Sequence, residues 1–100
     1  MIIHVGPLSE LPSDARVIVL VGSRSSDHLR ELARIAEWKG RIAYRIESAA
    51  ELQPRWFSGV EVVGIVVGAA NLQGIVQAVL ERLRYFERVA GQGMLEGIAR

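Results

Sequence analysis

Val17-Ile-Val-Leu-Val21 is a continuous β-branched and leucine run that stops at Gly22, and a helical pattern begins within six residues of it. An unbroken apolar run of five reads as a strand buried on both faces, which requires a sheet covered on both sides. The turn that follows, Gly22-Ser-Arg-Ser-Ser26, is small and serine-rich. Strand, tight loop and helix start together form the geometry in which backbone N–H groups can hold an anion.

The rest of the chain repeats the pattern. After the loop, Leu29, Leu32, Ala33 and Ala36 fall at helical spacing, with Arg30, Glu31, Arg34 and Glu37 on the opposite side. Lys39-Gly40 closes that helix, a cation followed by glycine. Ile42–Ile46 reads as a second central strand. Ser48-Ala-Ala-Glu51 has capping-box spacing, and Pro54-Arg-Trp-Phe57 suits another helical turn. Val60–Val67 is a third strand, with Gly68-Ala-Ala-Asn71 as a second small-residue loop. Ile75, Val76, Val79, Leu80, Leu83 and Phe86 then draw the stripe of a long helix, expected over Leu72–Val89 and broken by Gly91 and Gly93. Residues 1–10 read as an edge strand or an arm, and residues 91–100 as an apolar tail able to cover exposed surface.

This alternation predicts one α/β domain over residues 1–100. It is a small three-layer unit with a mostly parallel sheet of three to four strands, right-handed crossovers and helices on its faces. One hundred residues fit a single domain. Twelve basic and eleven acidic side chains leave a formal charge of +1, which argues against nucleic acid held by bulk electrostatics. The absence of cysteine excludes disulfides and thiolate-ligated metal centres supplied by this chain. No apolar stretch reaches the roughly 20 residues of a membrane span, and the N-terminus lacks a signal pattern. The expected setting is cytoplasmic, without membrane, metal or cofactor.

Several motifs keep order and spacing with a known family. Leu11-Pro-Ser-Asp-Ala-Arg-Val-Ile-Val-Leu-Val-Gly-Ser-Arg24 leads into a serine loop and a helix with Leu32 and Ile35-Ala36. Ala43-Tyr-Arg-Ile-Glu47, Glu51-Leu52, Trp56-Phe-Ser-Gly-Val60 and Val63-Gly-Ile-Val-Val-Gly-Ala69 follow. From about Leu11 to Leu83 the chain resembles the C-terminal portion of the LytB family, the 4-hydroxy-3-methylbut-2-enyl diphosphate reductases of isoprenoid synthesis. That family writes its first loop Gly-Ser-Lys-Asn-Ser-Ser-Asn-Ser and its second Thr-Ala-Gly-Ala-Ser. The resemblance implies that serines and an asparagine of these loops bind a substrate diphosphate, and that a cysteine of this portion binds an iron–sulfur cluster. Aligned without gaps, the asparagine before the serine pair falls on Ser25, the first serine on Ser26, the second on Asp27 and the ligand asparagine on His28. The second-loop serine falls on Ala70, and Met1–Glu10, where the cysteine would lie, has none. The resemblance implies descent and fold without reductase activity.

Two readings of the first loop stand side by side. It is a tight turn with a serine N-cap, or it is an anion site contacted by Ser23, Arg24, Ser25, Ser26 and His28. In the second, Arg24 clamps phosphate in bidentate fashion and His28 attracts it when protonated. Asp27 reads as a first-turn acid, His4 as structural, Asn71 as the cap of the long helix, and Trp38 as cover for a strand edge. No residue reads as catalytic. The function expected is a non-catalytic module binding a phosphate- or diphosphate-bearing small molecule. The alternatives are a self-associating scaffold or accessory subunit without ligand, or a split piece of a diphosphate reductase completed by a cysteine-bearing partner chain. A homodimer is expected, because a small parallel sheet needs its faces and edges covered.

Overall fold

The computed structural model describes residues 1–69 and 72–99, with side chains described over 1–69 and 72–90. Four strands form one sheet: β1 (Ile2–Val5), β2 (Val17–Val21), β3 (Ile42–Ile46) and β4 (Val62–Val67). Their spatial order is β1-β4-β2-β3, and every pairing is parallel. Helix α1 (Asp27–Trp38) lies on one face and α2 (Gln73–Ala99) on the other. Short 3-10 turns at Leu8–Glu10, Ala49–Glu51 and Pro54–Phe57 fill the connections.

Alternation along the strands divides the core in two. Val17, Val19, Val21, Val63 and Ile65 face α2 and pack with Val79, Leu83 and Phe86. Ile18, Leu20, Val62 and Val66 face α1 and pack with Leu29 and Ala36. All five β2 residues are buried, as a strand covered on both faces requires. Gly64 of β4 pairs with Ile18 of β2. A Cβ there would come within 2.5 Å of Leu11 Cδ1 and 2.9 Å of Ile18 Cδ1, so the bare glycine is what lets Leu11 pack directly on the sheet.

The helix ends follow their sequence signals. Gly40, at φ 79°, donates to the Glu37 carbonyl at 3.0 Å, and Arg41 donates to the Ala36 carbonyl at 2.9 Å. That is a Schellman closure, which favours glycine at this position. The Ser48–Glu51 capping box forms, and Pro54 opens its own turn.

Three expectations are corrected. β3 is an edge strand, with β4 central in its place. Its sequence carries Tyr44 and Arg45, and Ile42 is 53% exposed, a composition that suits a strand with one neighbour. α2 continues through Gly91 and Gly93 to Ala99, since glycine inside a helix costs about 1 kcal/mol and does not forbid it. Trp38 covers no strand edge; it points away from the sheet and is 90% exposed. The edge strand is covered instead by Trp56, whose ring stacks on Tyr44 at 4.0 Å and 5°. The Asn71 cap and the Ala70 alignment lie outside the described residues, as do the side chains of the 91–100 tail.

Candidate functional site

β1, β2 and β4 all deliver their carboxyl ends to one edge of the sheet, where open α/β sheets hold ligands. Gly22 follows β2 there and Gly68 follows β4. The two meet: the Gly68 amide donates to the Val21 carbonyl at 2.8 Å. A Cβ on Gly22 would lie 2.5 Å from Leu29 Cδ1 and 3.7 Å from the Gly68 Cα. Leu29, 1% exposed, therefore seats the first turn of α1 directly on both loops. Only residues without side chains allow that approach.

Within the loop most polar groups are already partnered. Ser26 is the N-cap, and its Oγ accepts from the Leu29 amide at 3.2 Å. The Ser23 and Ser25 hydroxyls lie 2.9 Å apart. Ser23 Oγ also accepts from the Ser25 amide at 3.2 Å, and the Ser26 amide donates to the Ser23 carbonyl at 3.1 Å. The first helical amides, Asp27 and His28, make no hydrogen bond to the described residues. These are two of the four donors that a helix start leaves over. Ser23, Ser25 and His28 are exposed around them.

Arg24 does not point at this opening. Its Nε sits 3.2 Å from Glu47 Oε1, its guanidinium also meets Glu51, and its amide donates to Glu47 Oε2 at 3.1 Å. Glu51 in turn accepts from the amides of Glu47 and Ser48 at 2.6 and 2.8 Å. Partial burial raises the Glu51 pKa, but these amides and the Arg24 guanidinium outweigh it and hold the carboxyl below its ordinary value of 4.5. The bidentate clamp expected of Arg24 is thus spent inside the chain. Asp27, 93% exposed on its side chain, pairs with Arg30 at 3.4 Å.

The structure brings Ser23, Ser25, Ser26 and the α1 amides together and turns Arg24 toward β3. His28, the last residue of the candidate site, also lines a cavity beside α1. Sequence reasoning missed Glu47. The register that pairs Val21 with Ile46 carries the following residues, Gly22 and Glu47, to the same edge, so strand pairing was the signal that would have found it. An iron–sulfur cluster, implied by the resemblance, finds no thiolate here. Among the described residues no three His, Asp or Glu side chains gather to hold a metal, so the donor set does not fit a cysteine-held cluster. Among the described residues no helix is long and apolar enough to cross a membrane.

The family model described as LytB protein matches residues 7–84. The chain is 39% identical over 74 residues to the 4-hydroxy-3-methylbut-2-enyl diphosphate reductase of Sodalis glossinidius (strain morsitans), covering 74% of this chain and 23% of that one. It is 37% identical over 90 residues to the reductase of Ectopseudomonas mendocina (strain ymp), covering 90% and 28%. A solved structure of (E)-4-hydroxy-3-methyl-but-2-enyl diphosphate reductase, described as the terminal enzyme of the non-mevalonate pathway, superposes with a TM-score of 0.70. The two share 35% identity over 78% of this chain and 28% of that one. The chain spans about a quarter of the length of the curated relatives it matches.

Proposed function

The chain belongs to the LytB protein family, and from that premise we propose that it is a non-catalytic family module that binds a phosphate- or diphosphate-bearing small molecule at the β2–α1 loop. The observation that carries the reading is the pair of unpartnered amides at Asp27 and His28, set at the carboxyl edge of the parallel sheet. A helix start at that edge attracts negative charge through its amides and its dipole. The hydroxyl of Ser25 and the imidazole of His28 supply further donors at the rim, and Ser26 holds the turn. Arg24 joins the anion only by leaving Glu47 and Glu51. Reduction is not part of the proposal, because the chain supplies no thiolate.

Thermal-shift measurement against phosphate, pyrophosphate, nucleotides and prenyl diphosphates tests it. Pyrophosphate and prenyl diphosphates are expected to raise the melting temperature, and Ser25→Ala with His28→Ala to abolish the rise. No shift with any of these anions contradicts the proposal.

A second reading, an accessory or scaffold subunit without a ligand, is favoured by the closed Arg24–Glu47–Glu51 cluster, which already satisfies the loop's own cation. It predicts an unresponsive loop in the same measurement. A reductase piece completed by another chain predicts instead a neighbouring open reading frame that carries the missing cysteine motifs.

A further inference from the structure

A cavity of about 560 Å³ opens between α1 and the turn that follows β1, and shares only His28 with the serine-loop site. Its volume lies within the roughly 300–1,000 Å³ of small-molecule sites. Val66 of β4, 4% exposed, contributes to its lining beside Leu8. The α1 wall is His28, Leu32, Ile35 and Lys39, spaced i, i+4, i+7 and i+11, which is one line along the helix. At 1.5 Å per residue that line is about 16 Å long.

Charge along the groove is of one kind. Among the described residues no acidic side chain lines it. Of the three α1 acids, Asp27 and Glu31 pair with Arg30 at 3.4 Å and Arg34 at 3.6 Å, and Glu37 is not among the lining residues. Among the described residues neither Lys39 nor His28 takes part in an ion pair. An apolar trench with a lone ammonium at one end is complementary to a chain-like molecule with an anionic end. A neutral chain leaves Lys39 unused, and a bare inorganic anion leaves the apolar walls wet.

We infer that this groove binds a linear amphiphilic anion, its apolar chain along Leu8, Leu32 and Ile35 and its headgroup at Lys39. The headgroup lies at the far end of α1 from the serine loop, so the inference stands apart from the function proposed above. Carboxylate and phosphate monoester share the required chemistry.

The test is titration of the full chain with decanoate and with decyl phosphate, below the concentrations at which they form micelles, followed by amide chemical shifts. Saturable binding is expected, with shifts at Leu8, Ser9, Leu32, Ile35 and Lys39. The tighter of the two ligands identifies the headgroup class. Lys39→Glu should weaken both by about tenfold, one charge interaction's worth. Gly6→Leu should block the trench, since a Cβ at Gly6 meets nothing within 4 Å and the fold has room for it. Lys39→Glu, at an exposed helix end, keeps the test open if Gly6→Leu fails to fold. Equal affinity for decanol, the same shifts with inorganic phosphate, or unchanged affinity in Lys39→Glu overturns the inference. Phosphate shifts confined to Gly22–Asp27, with none at Leu32, Ile35 or Lys39, are the result expected of an anion that lacks a chain.

Discussion

At the β2–α1 loop one carboxylate, that of Glu47, holds both the amide and the guanidinium of Arg24. It occupies positions that an incoming anion would otherwise use. Glu47→Gln is therefore expected to tighten phosphate binding by about threefold, the scale of an exposed charge pair. Isothermal titration of the two proteins measures it, and a weaker affinity in the variant would show that Glu47 helps build the site. Glu51 acts on stability. Burial opposes its ionisation, while the Glu47 and Ser48 amides and Arg24 favour it more strongly. Its folded pKa lies below the unfolded value, so its contribution is present above that value and is lost as pH falls through the folded one. Denaturant midpoints should thus drop as pH falls below about 4.5, and drop less steeply in Glu51→Gln. Parallel curves for the two proteins would contradict that role.

The elements are held by close approaches more than by their own propensities. β4 pairs with β1 and β2, and its Gly64 leaves room on the α1 face for Leu11 and Ile18 together. Gly64→Ala should destabilise the fold by about 1–3 kcal/mol, the usual cost of overpacking a filled core. Urea denaturation reads this directly, and an unchanged midpoint would mean that Leu11 moves freely. Much of this architecture was legible in the chain. Val17–Val21, Ile42–Ile46 and Val60–Val67 read as strands, the last beginning two residues before the observed β4, α1 with its Ser26 cap and Gly40 stop stood out, and parallel pairing followed from the crossovers. The order of strands was not legible, because local pattern carries no information about which neighbour a strand finds. Arg45 on β3 was the available clue to its edge position. The end of α2 was misread because glycine weakens a helix without forbidding it. At the loop, residue types were legible and their partners were not. Arg24 was assigned to a ligand because Glu47 lies 23 positions away and meets it only through the β2–β3 register.

At the scale of the whole molecule, the sheet ends in the edge strands β1 and β3 and bears a scatter of exposed apolar side chains. Ile2 is 58% exposed, Ile42 53% and Trp38 90%. A small parallel sheet with such a surface is expected to self-associate, most simply about a two-fold axis. Sedimentation equilibrium should show a dimer that weakens in Trp38→Ser, whereas a monomer at high micromolar concentration would contradict it. The lack of cysteine makes the next outcome firm: anaerobic reconstitution should leave no stoichiometric charge-transfer band after desalting. The central claim is that this LytB-family domain keeps a working anion site at the start of α1. Titration of the intact chain with pyrophosphate, followed through every backbone amide, tests it most directly. Saturable shifts are expected, centred on Ser23–His28 and largest at the Asp27 and His28 amides. Shifts centred elsewhere, or none at millimolar pyrophosphate, would contradict it.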